Sequence, residues 1–101
     1  MTVDFRQLLG EDHLVWTVLD VVDQLDLGEL YARYGAHEYG GRPAYDPAMM
    51  LALVIYAYAE GTRGSRSIER ACRESLPYRT ITANLEPDHA TIARFRAAID
   101  D

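Results

Sequence analysis

The sequence predicts an all-α fold, a compact bundle of five to six helices with a helix-turn-helix-like C-terminal half, on three observations. Apolar residues recur at spacings of three and four along most of the chain. The helical runs open on capping residues, above all Asp46 followed by Pro47. They close at glycines or before a proline, at Gly35, Gly61 and Pro77. A length of 101 residues and a hydrophobic content of 49% fit one domain, residues 1–101, with a packed core.

Asp12 is expected to cap a first helix whose broad apolar face comprises Leu14, Val15, Val18, Val21, Val22 and Leu25. Asp20, Asp23 and Gln24 then fall on the wet side. Asp26 starts a short second helix over residues 27–34, with Glu29 where a capping box needs it and Gly35 just past its end. Residues 36–45 carry two adjacent glycines and no period, and read as a loop. Asp46 as N-cap and Pro47 at the first helical position open a third helix running through residues 48–60. That helix is apolar on almost every side, which places it at the centre of the bundle. Gly61 stops it.

A fourth helix begins at Ser65 or Arg66 and runs to about Glu74, since Pro77 limits further extension. Residues 78–83 read as a short helical piece, although Thr80, Ile81 and Thr82 also suit a strand. Residues 85–88 form a turn that ends in the capping residue Asp88. The last helix, residues 89–99, aligns Ile92, Phe95 and Ile99 on one side.

The charge is divided unevenly. The chain carries a formal net charge of −6, yet residues 61–96 hold seven arginines against four acids. Residues 1–50 hold nine acids against three arginines. Any nucleic acid should therefore meet the C-terminal half. No basic residue is a lysine, a bias that a high-GC genome explains as well as selection for guanidinium contacts does. A lone cysteine, Cys72, builds no internal disulfide, no apolar run approaches the roughly 20 residues of a membrane span, and the N-terminus does not resemble a signal peptide. The expected location is cytoplasmic.

Arg63, Arg66, Arg70 and Arg73 follow one another at spacings of three, four and three, which stacks them on one side of a helix. Intrahelical pairing accounts for part of this stripe, because Glu69 and Arg73, and Arg70 and Glu74, are each four apart. Arg63 and Arg66 have no acid nearby in sequence. Two helix-turn-helix candidates stand side by side. One is the third helix, the 61–64 turn and the arginine helix; the other is residues 80–83, the turn through Asp88 and the last helix. In such a motif the N-terminal residues of the second helix meet base edges, which in the last helix are His89, Ala90, Thr91 and Arg94. The competing reading of that helix is an amphipathic surface element with solvated arginines.

No catalytic pair, metal-ligand spacing or cofactor motif is evident. His13 and His37 are isolated, and Cys72 is expected to be a small packed thiol despite its arginine neighbours. Trp16, Tyr31, Tyr34, Tyr56 and Tyr58 are expected to pack between helices rather than to stack on bases.

Blocks of residues in a fixed order resemble the N-terminal domain of bacterial insertion-sequence transposases of the InsH-like kind. They are residues 11–15 (Glu-Asp-His-Leu-Val), 26–34, 41–48 (Gly-Arg-Pro-Ala-Tyr-Asp-Pro-Ala), 56–72 and 87–96, and the likeness spans about residues 8–97. The resemblance implies a helical module that engages the terminal inverted repeats of a transposon. It also implies that catalysis belongs to a separate RNase H-like domain with three Mg²⁺-binding acids, which is not expected within residues 1–101. On this reading Arg63, Ser65, Arg66, Arg70 and Arg73 position the DNA backbone, while His89, Thr91, Arg94 and Arg96 contribute groove contacts. The expected partner is double-stranded DNA, with no enzymatic activity, cofactor, metal or small-molecule substrate. The alternative is a dimerisation or interaction module, self-associating or bound to a full-length transposase.

Overall fold

Helix boundaries in this chain are set by side chains and glycines that can be named one by one. The structure, a computed structural model, describes residues 5–32 and 45–99. A short helix α1 (Phe5–Leu9), which the sequence pattern did not suggest, precedes α2 (Leu14–Gln24). The cap of α2 is His13 and not Asp12. Gly10 turns the chain with φ +87°, and His13 then stands extended at the helix start, where its Nδ1 accepts the Val15 N–H at 3.1 Å. The expected six-residue apolar face of α2 is also narrower than its pattern. Val15, Val18 and Val22 are buried, while Leu14, Val21 and Leu25 lie to one side of them and stay nearly half exposed.

Asp26 accepts the Gly28 N–H at 3.0 Å and opens a helical segment, α3 (Gly28–Leu30), one residue later than expected. The remainder of the expected second helix beyond Ala32, its stop at Gly35 and most of the 36–45 loop lie outside the described residues.

Helix α4 (Pro47–Glu60) follows the sequence reading at both ends. Asp46 Oδ1 accepts the Ala48 N–H at 3.1 Å and also the Tyr31 hydroxyl, joining α3 to the start of α4. At the far end Gly61 is left-handed (φ +78°); its N–H reaches the Tyr58 carbonyl and the Thr62 N–H reaches that of Ala57. This pair of bonds is a Schellman closure, and only glycine adopts the central conformation without strain. Met50, Ala52, Leu53, Tyr56 and Ala57 of α4 are buried, and the helix packs against α2, α6 and α7.

Helix α5 (Ser65–Glu74) buries Ile68 and Cys72 and packs across both α6 (Leu76–Thr82) and α7 (His89–Ile99). The 80–82 segment is helix, not strand: Pro77 sits in the first turn of α6, where its missing N–H costs nothing. Left-handed Ala83 and Asn84 end it. Asp88 caps α7 by accepting the Thr91 N–H at 2.8 Å, and Ile92 and Phe95 are fully buried. Tyr78 of α6 meets Tyr56 of α4 edge-on, ring centres 5.1 Å apart, so the two halves of the bundle share an aromatic centre.

Removing buried apolar volume should therefore be costly here. Phe95→Ala is expected to lower the unfolding free energy by about 3–5 kcal/mol, measured by urea titration. Tyr58→Ala, at a side chain 88% exposed, should change it by less than about 0.5 kcal/mol. Equal losses at the two positions contradict this core.

Candidate functional site

The turn that connects α4 to α5 is built on two glycines at positive φ, Gly61 and Gly64 (φ +78° and +83°). Between them the Thr62 hydroxyl is 2.7 Å from the Tyr78 hydroxyl, which fastens the turn to the core. Arg63 lies in this turn and not on the helix, so the four-arginine stripe is a three-arginine stripe of Arg66, Arg70 and Arg73 preceded by a turn residue. No side chain caps α5 at Gly64, and the N–H groups of its first turn have no partner within the helix.

Beside this turn runs a groove of about 470 Å³ lined by Val54, Ala57, Tyr58, Arg63, Ile68 and Arg96 among others. Arg96 reaches it from the last turn of α7 and donates to Ser65 Oγ at 3.5 Å. Arg63 and Arg96, 33 positions apart in sequence, thus share one depression. Arg63, Arg66 and Arg70 make no ion pair with a described carboxylate.

The other end of α5 is different. Glu69 lies between Arg73 and His89: its Oε2 is 3.2 Å from Arg73 Nη2, and its Oε1 is 2.9 Å from His89 Nδ1. Arg73 also meets Glu86 at 3.6 Å. The expected Glu69–Arg73 intrahelical pair forms, and Glu69 ties α5 to the start of α7 besides. On α7 itself, exposed Arg94 donates to Thr91 Oγ1 at 3.3 Å, on the side away from Ile92 and Phe95. The nine residues singled out by sequence therefore do not share one environment. Arg63, Ser65 and Arg96 come together; Arg66 and Arg70 extend from them along α5; Arg73 and His89 are held by carboxylates; Thr91 and Arg94 pair with each other.

Local charges are tuned accordingly. Glu69 is held below its usual range chiefly by the His89 hydrogen bond, and Asp88 chiefly by the Thr91 backbone N–H it accepts. The Cys72 thiol is pushed up to about 11, mainly by burial, with Glu86 and Glu69 adding to it. Arg70 and Arg73 are exposed while Cys72 is buried, so the packed-thiol reading agrees with its burial.

Beside this groove, sequence reading misplaced Tyr58. Tyr56 is buried as expected, but Tyr58 is 88% exposed at the mouth of the groove. The signal was present: residues two apart on a helix point to nearly opposite sides, so both tyrosines cannot face one core. Tyr34 lies outside the described residues.

The family model for the Transposase domain (DUF772) matches residues 3–98. The chain belongs to this transposase domain family. Searches of curated proteins and of solved structures each returned no match. Among the described residues of the transposase domain, no three His, Cys, Asp or Glu side chains gather as a metal site. No described helix is long and apolar enough to cross a membrane.

The depressed carboxylates give the transposase domain an acid-sensitive limb. A lowered native pKa stabilises the fold in full above the ordinary carboxylate value, and that contribution is lost as pH falls through the lowered one. Urea titrations should show stability decreasing below about pH 4, and Asp88→Asn, which keeps a capping side chain, should flatten that decrease. An acid limb unchanged in the variant contradicts the assignment of Asp88.

Proposed function

We propose that this transposase domain binds duplex DNA at the ends of its element, without catalysing strand transfer itself. The carrying observation is the set of guanidinium groups in and beyond the 61–64 turn, Arg63, Arg66 and Arg70, that make no ion pair with a described carboxylate, on a chain whose net charge is −6. Arg63, Arg66, Arg70 and Arg96, with Ser65 and the open first turn of α5, suit the phosphate backbone. Thr91 and Arg94, on the outward side of α7, suit base edges in a groove. Arg73, already engaged by Glu69 and Glu86, contributes little net charge to a polyanion, and His89 is held by Glu69.

The packing of α5 across α6 and α7 supports a helix-turn-helix-like role for these three elements, with α7 as the reading helix. Orientation follows from the acids. Asp20, Asp23 and Asp46 line a separate groove between α2 and α4, a surface that repels phosphate. DNA is then met by α5 and α7, and the α2 side faces away.

One observation favours a second reading on that far side. Leu14, Val21 and Leu25 form an exposed stripe along α2, at spacings of seven and four, suited to self-association or to docking on a full-length transposase. The two readings use different surfaces and are separable.

A gel-shift titration with a duplex taken from the element's own ends tests the first. Affinity should fall steeply with salt, and Arg63→Ala or Arg66→Ala should each reduce the salt slope by about one; Arg73→Ala should change it far less. Absence of binding at low salt overturns the proposal. For the second reading, sedimentation velocity should show a dimer that Val21→Glu dissociates, and a monomer at every concentration removes it.

A further inference from the structure

The groove between the α4 exit and the last turn of α7 has features that phosphate contact alone does not explain. Its floor is apolar, with Val54, Ala57 and Ile68. Tyr58 stands at its mouth with 88% of its surface in solvent, and two guanidinium groups, Arg63 and Arg96, enter from different elements. A volume of about 470 Å³ lies within the roughly 300–1,000 Å³ range of small-molecule sites. A flat ring left in water beside an apolar floor presents a stacking surface, and the paired arginines define the charge of what stacks there. The occupant that satisfies both is a base joined to a phosphate.

We propose that this groove receives one unpaired nucleotide of a DNA strand, its base against Tyr58 and its phosphate between Arg63 and Arg96. The inference rests on the DNA-binding reading above and adds to it a preference for DNA with an unstacked nucleotide at the bound end. A paired base offers only its edge in either groove of the duplex, whereas stacking on a side chain needs a free face. Because Tyr58 is exposed and packs against nothing in the core, it can be changed without disturbing the fold.

The test compares the full chain on two element-end duplexes of equal sequence, one blunt and one carrying a single-nucleotide 2-aminopurine flap. Binding should be about tenfold tighter for the flap duplex, with quenching of the 2-aminopurine fluorescence as it stacks. Tyr58→Ala should abolish both the preference and the quenching while binding the blunt duplex as the unaltered chain does; Tyr58→Trp should retain them. Equal affinity for the two duplexes, or a preference that survives Tyr58→Ala, overturns the nucleotide site while leaving duplex binding intact. Failure to bind either duplex removes the DNA-binding reading and this inference with it.

Discussion

The fold depends on the burial of α4, a helix apolar on nearly every side and fixed at both ends. Asp46 sets its first turn, and the Gly61 closure sets its last. A helix of this composition has no wet face to present, so it gains stability only when other elements cover it. Helices α2, α6 and α7 do so, and the Tyr56–Tyr78 contact locks the arrangement. Because the exit of α4 is fixed, the direction of the 61–64 turn is fixed as well. The position of Arg63, the start of α5 and the groove under Tyr58 follow from that exit.

Much of this was legible in the residues, for physical reasons that differ by element. Asp46-Pro47 and Gly61 are local signals, each satisfied by bonds within a few residues, and α4 begins and ends where they stand. Asp88 and the Ile92–Phe95 spacing behave alike in α7. The α2 cap was not legible, because an aspartate and a histidine were both available and the Gly10 turn decides between them. The width of the α2 face was overread for a similar reason. Periodicity shows which residues can face inward, but partners decide how many are covered, and of the six expected residues the partners of α2 bury only Val15, Val18 and Val22.

The site was less legible than the fold. The two glycines mark the 61–64 turn in the sequence, which takes Arg63 off the helical stripe, but they do not show that Arg63 lines one groove with Arg96 from the other end of the domain. That long-range pairing has no signature in a local pattern. The engagement of Glu69 by both Arg73 and His89 was half visible: the i, i+4 partner could be counted, and the partner on α7 could not. Family membership rests on the match across residues 3–98 and stands apart from these details.

Glu69 also explains how a chain with excess acid can present a local cation. Its carboxylate is spent on Arg73 and His89 at the C-terminal half of α5, and Glu86 joins it there. Positive charge is thereby cancelled where the helix dipole is negative and left uncancelled near its N-terminal turn, where the dipole is positive. Arg63 and Arg66 add to the field of that turn instead of opposing it, and Arg96 arrives there from α7. Screening confines such a field to about 10 Å at ordinary ionic strength, so the acids of α2 and its neighbours affect this turn less than its own arginines do. Local concentration of guanidinium groups, and not the overall sign of the chain, governs what an anion meets on this face.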